Sequence, residues 1–267
     1  MKKSLTIAAS DSGGCAGIQA DIKTFSSLGV FGMSAIVAAT AQNTLEVRDI
    51  APLPLENIAA QIDAVLEDLG ADSVKTGMLY SKEIIGAVAE RLEYHGAKNI
   101  VVDPVMAAAS GAILLKPDAV DVMVRKLFPL ARVVTPNLLE AQVLSGIKIS
   151  SYKDRVEACR IISMKGAQTV ILKGGHSADD DALDIWYNGK STFEYSSPRI
   201  DTKNVHGTGC TFSAAIAAYL AQDLTLDESI RKAKIYISSA ILKGRDLKLG
   251  NGSGPVNHFW NFHSGIH

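Results

Sequence analysis

Cysteine is scarce in this 267-residue chain, and the three present, Cys15, Cys159 and Cys210, are odd in number, far apart and without a C-x-x-C pair. That spacing excludes a disulfide framework or a zinc finger and fits reduced thiols in a reducing compartment. A surplus of one charge is missing too: 27 basic residues stand against 28 acidic ones, for a net charge of −1. With no long basic run, nucleic acid is not an expected partner. Long apolar runs are also absent. The longest charge-free stretch, Thr24 to Leu45, carries Gly29, Gly32, Gln42 and Asn43, so no membrane span is expected. The start, Met1-Lys2-Lys3 and then Ser4 to Ser10, breaks at Asp11, short of a signal peptide's apolar core of about 7–15 residues. A cytoplasmic protein is expected. Repeats, linkers and low-complexity blocks are lacking, so residues 1–267 read as one domain.

What is present is an alternation of short strands with helix-period segments. Leu5 to Ala9, Met33 to Thr40, Ser73 to Thr76, Ile100 to Val102, Arg132 to Thr135 and Thr169 to Leu172 read as strands. Ile18, Ile22, Phe25 and Leu28 share one helical face that ends at Gly29, and Ile58, Ile62, Val65, Leu66 and Leu69 share another that ends at Gly70. Further helices carry Ile84, Val88 and Leu92, then Val120, Val124 and Phe128, then Cys210 to Gln222 and Leu226 to Lys243. Mostly apolar strands separated by helices predict a mainly parallel sheet in an α/β/α sandwich. Asp184 to Tyr187, Asn188-Gly189 and Lys190 to Tyr195 predict a local β-hairpin with a type I′ turn.

In open sheets of this kind ligands sit beyond the carboxyl ends of the strands. The loop Ala8-Ala9-Ser10-Asp11-Ser12-Gly13-Gly14-Cys15-Ala16-Gly17 lies between a strand and a helix, where glycines let a ligand approach the backbone and the helix offers N–H groups. As a lone helical carboxylate, Asp21 reads first as a solvated surface residue and second as a group at the sheet end. His206-Gly207-Thr208-Gly209-Cys210 opens a small-residue helix, so Gly207, Thr208 and Gly209 form a candidate anion hole. Cys210 stands where thiol pKa values fall. It reads as a base, as an orienter of a hydroxyl, or equally as a buried structural cysteine. Asp103-Pro104-Val105-Met106, Thr135-Pro136-Asn137 with Glu140, and Lys173-Gly174-Gly175-His176 follow strands. Each reads singly as a turn or helix cap. Jointly they point to a shared site with oxygen donors for magnesium and a lysine for phosphate. Gly189-Lys190-Ser191 is not a P-loop, since position 184 is Asp184 rather than glycine. His258 and His263 lack the spacing of a helical zinc pair and read as part of an ordered tail.

The ordered series resembles the hydroxymethylpyrimidine/phosphomethylpyrimidine kinase family of the ribokinase superfamily. It runs from the first loop through Asp21-Ile22-Lys23-Thr24-Phe25, Ala41-Gln42-Asn43-Thr44, Lys75-Thr76-Gly77-Met78-Leu79, Asp103 to Met106 with Ser110-Gly111, Thr135 to Asn137, Lys173 to His176, and Thr202-Lys203-Asn204 into Cys210. The tail Gly252 to Phe259 resembles that family's carboxyl terminus. The resemblance implies a ribokinase-like three-layer sandwich, a homodimer, ATP as co-substrate and Mg2+. It implies phosphorylation of 4-amino-5-hydroxymethyl-2-methylpyrimidine and then of its monophosphate, for thiamine synthesis. By the same resemblance Gln42 reads the pyrimidine edge, Asp21, Met78 and Val105 line the substrate pocket, Asp103 and Glu140 serve the metal, and Asn137, Glu140 and Lys173 face ATP. Cys210, with Gly207 to Gly209, takes the catalytic position that holds an aspartate in the superfamily's sugar kinases. Ala9 and Ala109 depart from the family's common pattern. The alternatives are a pyridoxine/pyridoxal kinase of the same superfamily and a non-catalytic pyrimidine or nucleotide sensor.

Overall fold

The computed structural model describes residues 1–108, 111–174 and 182–262. Ala109, Ser110, Gly175, His176 and His263 lie outside them. Nine strands among the described residues form one sheet: β1 (Lys3–Asp11), β2 (Phe31–Gln42), β3 (Val47–Pro52), β4 (Ser73–Thr76), β5 (Ile100–Val102), β6 (Val133–Val134), β7 (Val170–Leu172), β8 (Asp184–Tyr187) and β9 (Thr192–Tyr195). Their spatial order is β3-β2-β1-β4-β5-β6-β7-β8-β9. The six strands from β2 to β7 in that row run parallel, and only the edges β3, β8 and β9 are antiparallel, as the apolar pattern predicts.

Alternation along the strands feeds two cores. Ile100, Val102, Val134, Val170 and Leu172 face helices α2 (Leu55–Asp68), α3 (Lys82–Tyr94), α5 (Leu138–Ser145) and α6 (Tyr152–Met164). Val101, Val133 and Ile171 face α1 (Gly17–Ser27), α7 (Thr208–Ala221) and α8 (Leu226–Gly244). Each such fully buried side chain contributes about 1.5–3 kcal/mol, so the three layers follow directly from strands that are apolar on both sides. Ala214, Ala215, Ala217 and Ala218 let α7 lie close on the sheet, where Ser73 donates to the Ala217 carbonyl at 2.8 Å.

Two local expectations are corrected. The β8–β9 connection is four residues, since Tyr187 pairs with Thr192, and Gly189 has positive φ while Asn188 does not. A type I′ turn needs positive φ at both central residues. Here the Asn188 side chain accepts from the N–H groups of Lys190 (3.0 Å) and Ser191 (2.8 Å) and shapes a wider turn. The helix carrying Val120, Val124 and Phe128 is broken: a 3₁₀ turn (Pro117–Ala119), a single α turn, α4 (Val120–Val122), a π turn (Met123–Leu127) and a second 3₁₀ turn (Phe128–Leu130) follow one another. Pro129 removes the N–H that a continuous helix would need.

Candidate active site

The glycine-rich loop after β1 is closed on itself. The Asp11 carboxylate accepts from the backbone N–H groups of Gly13 (2.8 Å), Cys15 (2.9 Å) and Ala16 (2.8 Å), so these donors are not free for a ligand as the sequence suggests. The bend needs Gly17: its φ is +58° and a Cβ there would lie 2.5 Å from the Ala9 carbonyl oxygen. Gly17 opens α1, with its N–H near enough to the Cys210 thiol to work against the rise in the thiol pKa. Gly207, with φ of 81°, is the N-cap of α7, and a Cβ there would fall 1.8 Å from the Cys15 carbonyl oxygen. Two helix N-termini therefore meet at Cys210. Gly209 and Cys210, the second and third residues of α7, present N–H groups where a helix has no internal acceptor to offer them.

Beneath the thiol lies a pair that the sequence reading left without a role for one member. Lys75 Nζ sits 2.9 and 2.8 Å from the two Asp21 oxygens, and Thr6 donates to Asp21 at 2.6 Å. Both charged side chains have no exposure, which overturns the surface reading of Asp21. Burial works against the Lys75 charge, but Asp21, Cys210 and Asp103 outweigh it and raise its pKa. A lysine inside a four-residue buried strand is itself a signal, because a buried charge needs a partner.

Beside this pair, Lys173 Nζ lies 2.8 Å from Asp103, which also accepts from Thr135 (3.1 Å) and Ser213 (3.3 Å). Burial opposes ionisation of Asp103, yet Lys173 and Lys75 hold its carboxyl below the usual range. A Cβ on Gly209 would stand 3.2 Å from Lys173 Nζ, so this lysine lies against the mouth of α7. Asn137 and Glu140 realise the helix-cap reading: Asn137 accepts from the Glu140 N–H at 2.9 Å, and Glu140 accepts from the Asn137 N–H at 2.8 Å. Burial, reinforced by Asp103 and opposed by Lys173, pushes Glu140 up to about 7. Burial also pushes the Cys210 thiol up to about 11; Asp21 and Asp103 add to it and Lys75 only partly offsets it. The thiol therefore departs from the expected fall: desolvation, with the neighbouring carboxylates, outweighs Lys75.

On the other flank, Gln42 ends β2. Its Nε2 lies 3.0 Å from His206 Nε2, and its Oε1 lies 3.2 Å from the Thr40 hydroxyl. His206 stands immediately before Gly207, and burial lowers its pKa. Gln42, Asn43, Thr44, Leu45, His206, Gly252 and Ser253 bound a cavity of about 220 Å³. The tail is strapped onto this corner: Ser253 N–H donates to the Thr44 carbonyl (3.0 Å) and Gly252 N–H to its hydroxyl (3.1 Å). Met78 is buried, and its carbonyl accepts from the Ala9 N–H at 3.2 Å; Val105 is half-buried beside Asp103. The structure thus gathers Asp21, Asp103, Asn137, Glu140, Lys173 and Gly207 to Cys210 around the carboxyl ends of β4 to β7, and brings Gln42 to the same helix mouth through His206. His258, as its place in the tail suggests, is buried and lies 3.0 Å from the Thr211 hydroxyl.

A parallel sheet that gathers paired lysines and carboxylates under a glycine-opened helix is the architecture of the ribokinase-like small-molecule kinases, and this fold is one of them. Residues 11–257 match the model of the phosphomethylpyrimidine kinase family, and the chain belongs to that family. It is 47% identical over 258 residues to the hydroxymethylpyrimidine/phosphomethylpyrimidine kinase of Bacillus subtilis, covering 96% of this chain and 94% of that protein. It is 50% identical over 254 residues, 95% of this chain, to the thiamine biosynthesis bifunctional protein ThiED of Geobacter sulfurreducens, of which it matches 51%. Among solved structures, the pyridoxal kinase of Staphylococcus aureus in complex with AMP-PCP and pyridoxal superposes with a TM-score of 0.89 at 40% identity, covering 100% of this chain and 96% of that one.

Proposed function

We propose that this chain transfers the γ-phosphoryl group of ATP to 4-amino-5-hydroxymethyl-2-methylpyrimidine, and then phosphorylates the monophosphate to the diphosphate used in thiamine biosynthesis. The observation that carries this reading is the near full-length match to a kinase named for both pyrimidine substrates. The second name in that relative supports the second step. The complex of the Staphylococcus aureus neighbour with AMP-PCP supports ATP as co-substrate.

In the transfer, a bond forms between the substrate CH₂OH oxygen and the γ-phosphorus, the bond from that phosphorus to the β–γ bridging oxygen breaks, and ADP leaves. Such transfers depend mainly on positioning and charge stabilisation. The N–H groups at Gly209 and Cys210 would meet the transferring group, with Lys173 beside them. With its pKa raised, the Cys210 thiol is protonated in the ligand-free chain. It serves to orient the hydroxyl; to accept the hydroxyl proton it must first release its own to water, leaving a thiolate whose charge Lys75 offsets. Gln42, Met78 and Val105 hold the pyrimidine, while Asp21 acts beneath the pocket through Lys75.

No group of three His, Cys, Asp or Glu side chains among the described residues forms a metal cage. Asp103 and Glu140 instead fit a magnesium ion held chiefly by phosphate oxygens and water, the usual manner for this ion. When bound, it would neutralise charge on the transferring phosphates. We include in the proposal one kinase domain over residues 1–267, a homodimer and a cytoplasmic location. No described helix is long and apolar enough to cross a membrane.

Pyridoxal is the second reading, favoured by the Staphylococcus aureus complex. A mass-spectrometric time course with magnesium, ATP and equal hydroxymethylpyrimidine and pyridoxal separates the two. Sequential pyrimidine mono- and diphosphate is expected. Pyridoxal phosphate as the main product would overturn the reading, and bound ligand without any product would leave a sensor.

A further inference from the structure

A carboxamide can read a heteroaromatic edge only if its oxygen and its NH₂ are told apart, because a half-turn about its last bond exchanges donor for acceptor. From its surroundings we infer that His206 is the positioning residue that sets the sense of the Gln42 carboxamide, and with it the preference for an aminopyrimidine. The inference rests on the proposed role of Gln42 at the pyrimidine.

The argument follows the protons. His206 is 6% exposed, and burial favours its neutral ring, in which one nitrogen carries the proton and the other offers a lone pair. That nitrogen, Nε2, faces Gln42 Nε2 at 3.0 Å, so the amide NH₂ must point toward His206 and the oxygen away from it. On the other side Thr40 cannot enforce the choice alone. Its single hydroxyl proton is shared between the Ser10 carbonyl at 3.0 Å and Gln42 Oε1 at 3.2 Å. The ring itself is held by the tail: its backbone N–H donates to the Gly254 carbonyl at 3.0 Å, and Ser253 N–H donates to the Thr44 carbonyl at 3.0 Å.

So oriented, Gln42 keeps one N–H and one oxygen lone pair free for a ligand. An edge with a ring nitrogen beside an exocyclic amino group complements that pair in one sense only. Pyridoxal, with an aldehyde in place of the amine and a phenolic hydroxyl on the carbon that replaces the ring nitrogen, does not require that sense.

The test compares Gln42→Ala, His206→Ala, the double variant and His206→Gln, whose side-chain oxygen keeps an acceptor near the lost ring nitrogen. Expected are a rise of about 10-fold or more in KM for hydroxymethylpyrimidine in both alanine variants, the loss of one hydrogen-bonded recognition, with kcat and the KM for ATP nearly unchanged. Pyridoxal turnover should gain relative to the pyrimidine. The double variant should be no worse than Gln42→Ala, and His206→Gln should recover most of the loss. If Gln42→Ala raises the pyrimidine KM but His206→Ala does not, or if the two losses simply add, His206 does not act through Gln42 and the inference fails alone. If Gln42→Ala itself changes nothing, the reading of Gln42 falls and this inference with it. Long-range 1H–15N NMR on the unmutated protein gives a check that no folding defect can blur. A proton on Nδ1 of His206 is expected, and one on Nε2 at neutral pH would overturn the assignment.

Discussion

Replacing Lys75 by methionine should unfold this protein more readily than any surface change, and the size of the effect can be worked out. The substitution keeps a long unbranched side chain but deletes the charge 2.8 Å from Asp21, leaving a carboxylate of no exposure with only the Thr6 hydroxyl as partner. Removing one member of a buried ion pair costs about 3–5 kcal/mol, whereas replacing both by apolar residues of similar volume is often neutral. At about 2–4 °C per kcal/mol for a domain of this order of size, Lys75→Met should lower Tm by roughly 6–20 °C. The double variant Lys75→Met/Asp21→Leu should recover all but about 1–2 kcal/mol, the remainder reflecting the unpaired Thr6 hydroxyl. Differential scanning calorimetry and urea titration read this directly. Activity should not follow stability: Lys75 also offsets charge on Cys210, so the refolded double variant should keep a kcat reduced about 10-fold or more. A Lys75→Met protein within about 1 kcal/mol of the original, or a double variant as unstable as the single one, would refute the ion-pair reasoning. A fully active double variant would refute the link to the thiol.

Two further outcomes are expected. Burial, with Lys23 adding, lowers His258 to about 4 from an ordinary 6.5, so the unfolded chain binds its proton first as pH falls. The contribution is fully present above about pH 6.5 and is lost toward pH 4, by roughly 3 kcal/mol at the end. Urea midpoints across that range should fall, and His258→Gln should flatten the slope. Gly207→Ala places a methyl 1.8 Å from the Cys15 carbonyl oxygen at a φ of +81°, so the loop before α1 and the mouth of α7 must part. A kcat loss of about 10²-fold, the scale of removing one oxyanion donor, is expected, with Tm lowered as well; an unperturbed enzyme would show that the two helix mouths need not touch.

The sheet was readable because its central strands are buried on both faces. Ser73 to Thr76 and Ile100 to Val102 fall where the apolar pattern puts them. Helix α5 was read no further than a turn or cap at Asn137 and Glu140, and α6 was not foreseen. In α5 the apolar residues surround the axis, with Leu139 and Val143 exposed, and in α6 only Ala158, Cys159 and Ile162 are buried, so neither shows a clean stripe. Strand β3, Val47-Arg48-Asp49-Ile50-Ala51-Pro52, carries the charges and the proline that protect an exposed edge and disguise a strand. Within the site, strand-end motifs were visible because chemistry there depends on position in the sheet. The partnership of Asp21 with Lys75 was not, since it joins two elements 54 residues apart. Asp11 is the same case: its carboxylate closes the loop that the glycines alone advertise as open.

The strap from Gly250 to Gly254 has a consequence for the order in which the protein is made. Gln42 is synthesised early, yet its contact with His206 spans 164 residues, and the hydrogen bond from Gly252 to Thr44 spans 208. Such long closures are slow to form. A ribosome must therefore reach residues 250–254 before the corner around Gln42 and His206 can close, and a nascent chain that already carries β1 to β9 still lacks it. Residues 250–254 are thus a late addition to a sheet already complete from β1 to β9, and they close the corner of Gln42 and His206 after the layers beneath it have formed.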